Sequence, residues 1–501
     1  MRKKKLNKKK KFFLFFIILI FIIQNTISGY QSLGIFADDI GTIYQLNQIH
    51  DFVNLIKYSI AYDAARDLHQ IWLKIFLIIS GNNWMQNLHL IQFSLYLINS
   101  ILFFYILSLL KISPITKILV WILSIYFCAY SEVVLWIHAS SMILMSGLFF
   151  LIFLILNIKL LDKNLKKNDI ITYEIILLLL SILSIETYEQ PLFAIFLIIF
   201  TRVMLSKYYK YNKTRFYYCI LTYLFLVFLF SVFKIWTALP YQTGSEINLF
   251  NNQFFFNIFK SFAFPVIELF KFNENNYSIN IFFFTIFMLV LIITQNKYLT
   301  NSEEIIKITF FCFIKKILFC LILYVASIGL LYTHYISDRH FYIPSFFMFI
   351  AIGYFADNLI LRLKFHYKNI IIISLPLIII TILAINAFLN FNLKKLNQIK
   401  SFTIKDNFYK NLINDPNINL LCNCFYENKI FLINFPDFHN KTLFFAHEQD
   451  VILKLLYNNN FPKIEKIKEK EKITDIKNKK IYYITYLGIE NNNIQYKISN
   501  Y

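Results

Sequence analysis

From Phe12 to Asn390 the chain repeats one pattern: an apolar run, a short polar break, then another apolar run. The hydrocarbon core of a bilayer is about 30 Å thick and takes about 20 helical residues to cross. Backbone N–H and C=O groups find no water there, so each such run must close its hydrogen bonds internally as a helix. Runs near residues 12–29, 88–110, 115–135, 140–161, 170–185, 190–206, 216–238, 279–296, 317–335, 342–361 and 369–390 make about eleven candidate spans. With 58% hydrophobic and only 16% charged residues, the chain is more apolar than a soluble core of this length can bury. The expectation is an all-α polytopic membrane protein, with the lipid bilayer as its first partner.

The formal charge of +21 raises a nucleic-acid partner, but the basic residues lie in short breaks between apolar runs, where they orient helices. No nucleic acid is needed. "KISPITK", "KLLDKNLKKND", "RVMLSKYYKYNKTR", "QNKYLTNSEEIIK" and "RLKFHYKN" fall on one side; "YSEVVLWIHAS", "ETYEQP", "LPYQTGSE" and "HYISDRHFYIP" fall on the other with scarcely any lysine. The positive-inside rule then puts the N-terminus in the cytoplasm and, with an odd number of spans, the C-terminus outside. The basic start "MRKKKLNKKKK" and following apolar stretch also match a secretory signal. No small-x-small cleavage site follows, which favours an uncleaved first helix. The six cysteines are too scattered for a disulfide framework, and "LCNCF" lacks a second pair at metal-ligand spacing. No cofactor is assigned, and a divalent metal stays open. The Ile, Asn, Lys, Phe and Tyr bias resembles translation of an AT-rich genome, pointing to a bacterial inner membrane.

Residues 1–391 are taken as the membrane domain. Within it, 30–87 form a long outer loop with interfacial amphipathic pieces, "IYQLNQIHDFVNLIKYSI" and "HQIWLKIFLIIS", the second too short to cross. "NNQFFFNIFKSFAFPVIELFKF" is a similar re-entrant or interfacial piece. Residues 392–501 are taken as a small α/β appendage on the outer face. There "NKIFLINFP" and "KKIYYITYLGI" read as strands and "AHEQDVILKLLYNN" as a helix, with the charged run "KIEKIKEKEKITDIKNKK" between the helix and the second strand.

Polar groups near span ends collect on the lysine-poor side: Asp38 and Asp39, Glu132 and His138, Glu186 and Glu189, then His334, Asp338, Arg339 and His340. Ionisable groups at membrane depth are costly and mark pathways or reactive sites. Each has a plain alternative. Asp38 and Asp39 can be a solvated helix end, and being about 100° apart on a helix only one can aim at a given point. Glu186 and Glu189 can belong to a loop before a Pro191-led helix. Arg339 can anchor at the interface, and His138 and His334 can be satisfied interfacial histidines. The coincidence on one side carries more than any single residue.

"FADDIGTIYQLNQIHD", "RDLHQIWLKIFLIISGNNWMQNLHLIQFSLYLINSILFFYIL", "LLSILSIETYEQPLFAI" and "SDRHFYIPSFFMFI", in that order, resemble motifs of the polytopic C-type-fold glycosyltransferases, in particular the protein O-mannosyltransferase-like group. Asp67 stands after Arg66 where that family usually has Pro, and the tail carries no tetratricopeptide repeat. "IFLINFPDFHNKTLFFAHEQDVILKLL" looks like the C-terminal part of uncharacterised bacterial members. The resemblance implies a hexosyl- or pentosyltransferase that moves a sugar from a polyprenyl-phosphate donor to a hydroxyl on a lipid, glycan or protein acceptor at the outer face. It implies Asp38 or Asp39 as general base, with preference for Asp38, and Glu186 or Glu189 orienting the acceptor or the base. Arg339 would bind the donor phosphate in a site shaped by Tyr342 and His334, with Arg66 and His138 supporting the acceptor or the structure. The competing readings are a transporter or flippase for lipid-linked saccharides, expected to carry polar residues near the midplane, and a polymerase or ligase using outer-loop arginines.

Overall fold

The computed structural model describes residues 20, 23, 39–62, 67–127, 133–134, 136–137, 140–160, 167–205, 220–229, 232, 304–328, 338–366, 370–414, 429–433, 435, 438–439, 442–443, 463–467, 481–490 and 493–500. The expected span 279–296, the 251–272 piece, the tail helix 446–459 and Cys422 and Cys424 lie outside them; the expected first span 12–29 is described only at 20 and 23, and 216–238 only at 220–229 and 232. The described chain is predominantly helical. Its α-helices are α1 (Asp39–Gln48), α2 (Phe52–Tyr62), α3 (Asp67–Ser80), α4 (Trp84–Leu109), α5 (Pro114–Ile125), α6 (Met145–Leu160), α7 (Lys167–Thr187), α8 (Leu192–Leu205), α9 (Glu304–Ile328), α10 (Tyr342–His366) and α11 (Ile370–Asn414), with a shorter apolar stretch at Ile220–Leu229. Among the described residues, four helical runs are long and apolar enough to cross a membrane: Leu68–Leu109, Ser141–Leu160, Tyr342–Leu361 and Ser374–Asn414.

Local chemistry sets the ends of these helices. Pro114 opens α5 at its first position, where its missing N–H is not needed. The Asp357 carboxylate of α10 accepts from Ser113 N and Thr116 Oγ1, each at 2.6 Å, placing a negative charge against the positive end of the α5 dipole. α3 stops at Ser80, and Gly81 takes φ +61°, a left-handed turn that glycine enters without a Cβ penalty. Asn87 Nδ2 then donates back to Ser80 O at 2.7 Å. α7 ends at Thr187, shortly before Pro191, which disfavours helix in the residue preceding it.

The run Ser141–Leu160, which contains α6, is the most buried of the four long apolar runs, and α6 is apolar on nearly every side. Ser146 Oγ donates to Ser184 O at 2.9 Å and Ser184 Oγ to Ser146 O at 3.0 Å, so two small residues bring α6 and α7 close. Phe103 and Tyr342 each meet the ring of Phe346 at 5.1 Å between centroids. Gly147 permits this packing: a Cβ there would lie 3.0 Å from Tyr342 Cε1 and 3.3 Å from Asn99 Nδ2. Gly147→Ala therefore overpacks the core and is expected to cost about 1–3 kcal/mol, seen as a lower midpoint of thermal unfolding in detergent. An unchanged midpoint would mean that Tyr342 has room to move.

Three expected spans differ in the structure. In the run 115–135 the 12-residue α5 ends at Ile125 and Tyr126 is a turn residue, Val133 and Val134 are helical again, and 128–132 and 135 lie outside the described residues. The run 317–335 starts later than the helix that holds it, since α9 already begins at Glu304; it is described to Ile328, and 329–337 lie outside the described residues. The last run continues unbroken to Asn414 in a 45-residue helix, about 68 Å long at 1.5 Å per residue, roughly twice the hydrocarbon thickness. Hydropathy falls after Asn392, but the helix does not end there.

Beyond α11 the strands are β1 (Lys429–Ile433), β2 (Phe438–His439), β3 (Thr442–Leu443), β4 (Lys463–Ile467), β5 (Ile481–Glu490) and β6 (Asn493–Asn500). Four of them form a sheet in the order β4-β1-β5-β6, with β1 parallel to β4 and β5, and β5 antiparallel to β6. β1 and β5 are the two expected strands. β4 occupies the start of the charged run, and β6 was not expected. Phe408 of α11 packs on Phe435 and on Tyr496 of β6, each at 5.3 Å, which seats the sheet on the far half of the long helix.

Candidate functional site

The bundle has a basic end, where α4 and α6 finish near Lys111 and Lys159 and α8 carries Arg202 in its last turn. At the opposite end α7 finishes and α10 begins, and four tethers join the segments found there. Lys74 Nζ of α3 donates to the Leu46 carbonyl at 2.7 Å, closing the C-terminal turn of α1, while Tyr58 Oη of α2 donates to Gln45 Oε1 at 2.5 Å. Trp72 Nε1 of α3 donates to Thr187 Oγ1 at 3.2 Å, fastening α3 to the last residue of α7. Finally, the Gln190 amide donates to the His340 carbonyl, fastening the turn after α7 to the 3-10 turn Asp338–Phe341 that precedes α10.

A polar face on α4 supports this end from inside the bundle. His89 Nδ1 lies 3.2 Å from Gln92 Oε1. Gln92 Nε2 donates to Val133 O at 2.8 Å and to Trp136 O at 2.6 Å, and so holds the chain that connects α5 to α6. Seven residues on, Asn99 Nδ2 donates to Leu144 O at 2.9 Å and to Tyr342 Oη at 3.1 Å. These bonds satisfy groups that would be expensive to bury unpaired, and they fix where α10 starts relative to α4 and α6.

Of the expected site residues, Asp39 is the first residue of α1, the helix tied to α3. Glu186 is half-buried in the last turn of α7, and Glu189 is buried in the turn that follows. Arg339 is the second residue of the 3-10 turn held by Gln190. Tyr342 opens α10 and is fully buried, its hydroxyl engaged with Asn99 rather than open to a water-filled hollow. Asp38, Arg66, Glu132, His138 and His334 lie outside the described residues. Trp72, Gln92, Asn99, Thr187 and Gln190 were not singled out individually. The signal for Gln92 and Asn99 was present in the sequence: His89, Gln92, Tyr96 and Asn99 recur every three or four residues, one helical face.

Chemically, carboxylates at this end can accept a proton and a guanidinium can hold a phosphate bidentately. Among the described residues no group of three or more His, Cys, Asp or Glu side chains comes together to hold a metal ion.

A second polar cluster, not expected from the sequence, lies toward the basic end. Arg202 of α8 donates from Nη2 to Glu174 Oε1 of α7, and from Nη1 to Asn157 Oδ1 of α6 at 3.0 Å, with all three residues buried. Ser181 Oγ and Tyr223 Oη meet at 2.5 Å one face away. The expected span 190–206 contains Arg202, and α8 runs to Leu205 with that arginine turned into the bundle; its pairing with Glu174 and Asn157 is what the sequence did not show.

No family model, curated protein or solved structure matches the chain.

Proposed function

We propose that the chain transfers a sugar from a polyprenyl-phosphate donor to an acceptor hydroxyl at the carboxylate end of the bundle. The observation that carries this reading is the Gln190–His340 bond, which links the segment bearing Glu186 and Glu189 to the turn bearing Arg339. The Trp72–Thr187 and Lys74–Leu46 bonds extend the same connection to the helix that begins with Asp39. In this reading Asp38 or Asp39 takes the acceptor proton as the glycosidic bond forms. The donor phosphate leaves as an anion, so a strong general acid is not required, and Arg339 offsets the charge that gathers on it. Glu186 or Glu189 orients the acceptor or the base. The same reading carries about eleven spans, a cytoplasmic N-terminus and an active face outside a bacterial inner membrane.

A donor-dependent transfer assay tests the arginine. Lys keeps the charge but loses the planar fork, and one charge-assisted bond contributes about 1.5–3 kcal/mol. Arg339→Lys is therefore expected to weaken donor binding by about tenfold or more. Unchanged donor affinity and rate would remove Arg339 from the phosphate site.

The Glu174–Arg202–Asn157 cluster favours a second reading, a transporter of lipid-linked saccharides, because paired charges inside a bundle mark pathways in such proteins. It ranks lower because the ion pair is closed at the basic end, with no half-helix break among the described residues beside it.

A further inference from the structure

Beside the buried ion pair lies a cavity of about 230 Å³ between α4, α6, α8, α9 and α10. Its walls are formed mainly by apolar side chains such as Ile106, Leu154, Ile198, Leu323 and Phe347. An apolar cavity of about 150 Å³ stays dry and takes up benzene, so this one has room for a stretch of hydrocarbon. Phe319 lines it while remaining 37% exposed, and Leu318 and Ile322 beside it on α9 are 54% and 45% exposed. The mouth therefore opens on an apolar outer surface of the bundle, where membrane lipid would lie.

Two cations line the same cavity, Arg202 and Lys316. Arg202 is neutralised by Glu174, yet its buried Nε has no hydrogen-bond partner among the described residues. Lys316 Nζ sits 5.0 Å from the centroid of the Tyr354 ring, and its charge is the net charge of the cluster. Asn157 and Arg202 lie in the last turns of α6 and α8, and Leu110 follows the end of α4. The polar rim is thus level with the ends of three helices, where lipid headgroups lie.

We propose that this cavity seats one acyl chain of an anionic glycerophospholipid, its phosphate held against Lys316 and Arg202. One net positive charge matches the single negative charge of a phosphodiester better than the roughly −1.5 to −2 of a phosphate monoester, such as a polyprenyl phosphate. A phosphate oxygen also supplies the acceptor that Arg202 Nε lacks. The site is separate from the carboxylate end and does not depend on the transfer reaction.

Native mass spectrometry of the full chain in neutral detergent, titrated with phosphatidylglycerol or phosphatidylcholine, tests this. Wild type is expected to retain one phosphatidylglycerol per chain about tenfold more tightly than phosphatidylcholine. Lys316→Ala should abolish that preference while leaving weak phosphatidylcholine binding, Lys316→Arg should keep it, and Ile198→Trp, which fills the cavity, should reduce both lipids. Size-exclusion profiles identify variants that fail to fold, and the wild-type comparison stands without them. Equal retention of the two lipids by wild type would overturn the proposal. So would undiminished phosphatidylglycerol binding by folded Ile198→Trp, displacement by inorganic phosphate at millimolar concentration, or tighter binding of polyprenyl phosphate.

Discussion

The double variant Asp38→Asn/Asp39→Asn is expected to transfer sugar about 10²- to 10⁴-fold more slowly than wild type, the range that a positioned general base contributes. Asn keeps the size and polarity of each side chain but cannot accept the acceptor proton as a carboxylate does. Donor binding should be nearly unchanged, since the phosphate contact is assigned to Arg339. The two single variants should differ, with Asp38→Asn the more damaging, the preference that the order of the resembled motif implies. Asp39 opens α1, and the Lys74–Leu46 bond holds that helix on α3. Full rate in both single variants and the double variant would withdraw the base assignment.

The second large effect concerns stability. Glu174→Leu leaves the Arg202 guanidinium buried without its carboxylate, and breaking a buried pair from one side costs about 3–5 kcal/mol. The variant should unfold at a markedly lower temperature in detergent. Glu174→Leu/Arg202→Met removes both charges and is expected to recover most of that loss, because a well-packed apolar pair of similar volume is often as stable as the ion pair. A double variant no more stable than the single would show that Arg202 does more for the fold than answer Glu174. The double variant keeps Lys316 but loses the Arg202 donors, so its preference for phosphatidylglycerol should weaken without disappearing, a readout that stability alone does not move.

Hydropathy made the helical bundle legible because lipid and helix constrain the same property: a long apolar run without water must pair its own backbone. α4, α6, α7, α8 and α10 appear close to where their runs lie. Hydropathy could not see where tertiary bonds end a helix. The apolar run after α5 continues through Val133 and Trp136, but Tyr96 Oη donates to the Ile125 carbonyl and Gln92 to the carbonyls of Val133 and Trp136. The Ile125 carbonyl thus has a partner from α4, so ending the helix there costs little. The pairing of Arg202 with Glu174 was not visible, because the two lie 28 positions apart on different helices.

In the tail, strand chemistry explains what was missed. β4 is an edge strand, and edges tolerate the Lys and Glu residues that made this stretch look solvated. β6 was readable, since Ile494, Tyr496 and Ile498 alternate along it opposite β5. At the candidate site, the one-sided distribution of acidic residues and Arg339 was visible from charge. The tethers were not, because Trp72–Thr187 and Gln190–His340 join residues 115 and 150 positions apart.

The most direct measurement follows the label from a radiolabelled hexosyl polyprenyl phosphate in sealed vesicles containing the purified protein. An envelope extract from a strain lacking the protein is supplied at the carboxylate face as the acceptor source. The account predicts that label leaves the lipid and enters the extract on that side, and that the double aspartate variant prevents it. Intact labelled donor crossing to the opposite leaflet, with none passing to the extract, would contradict it.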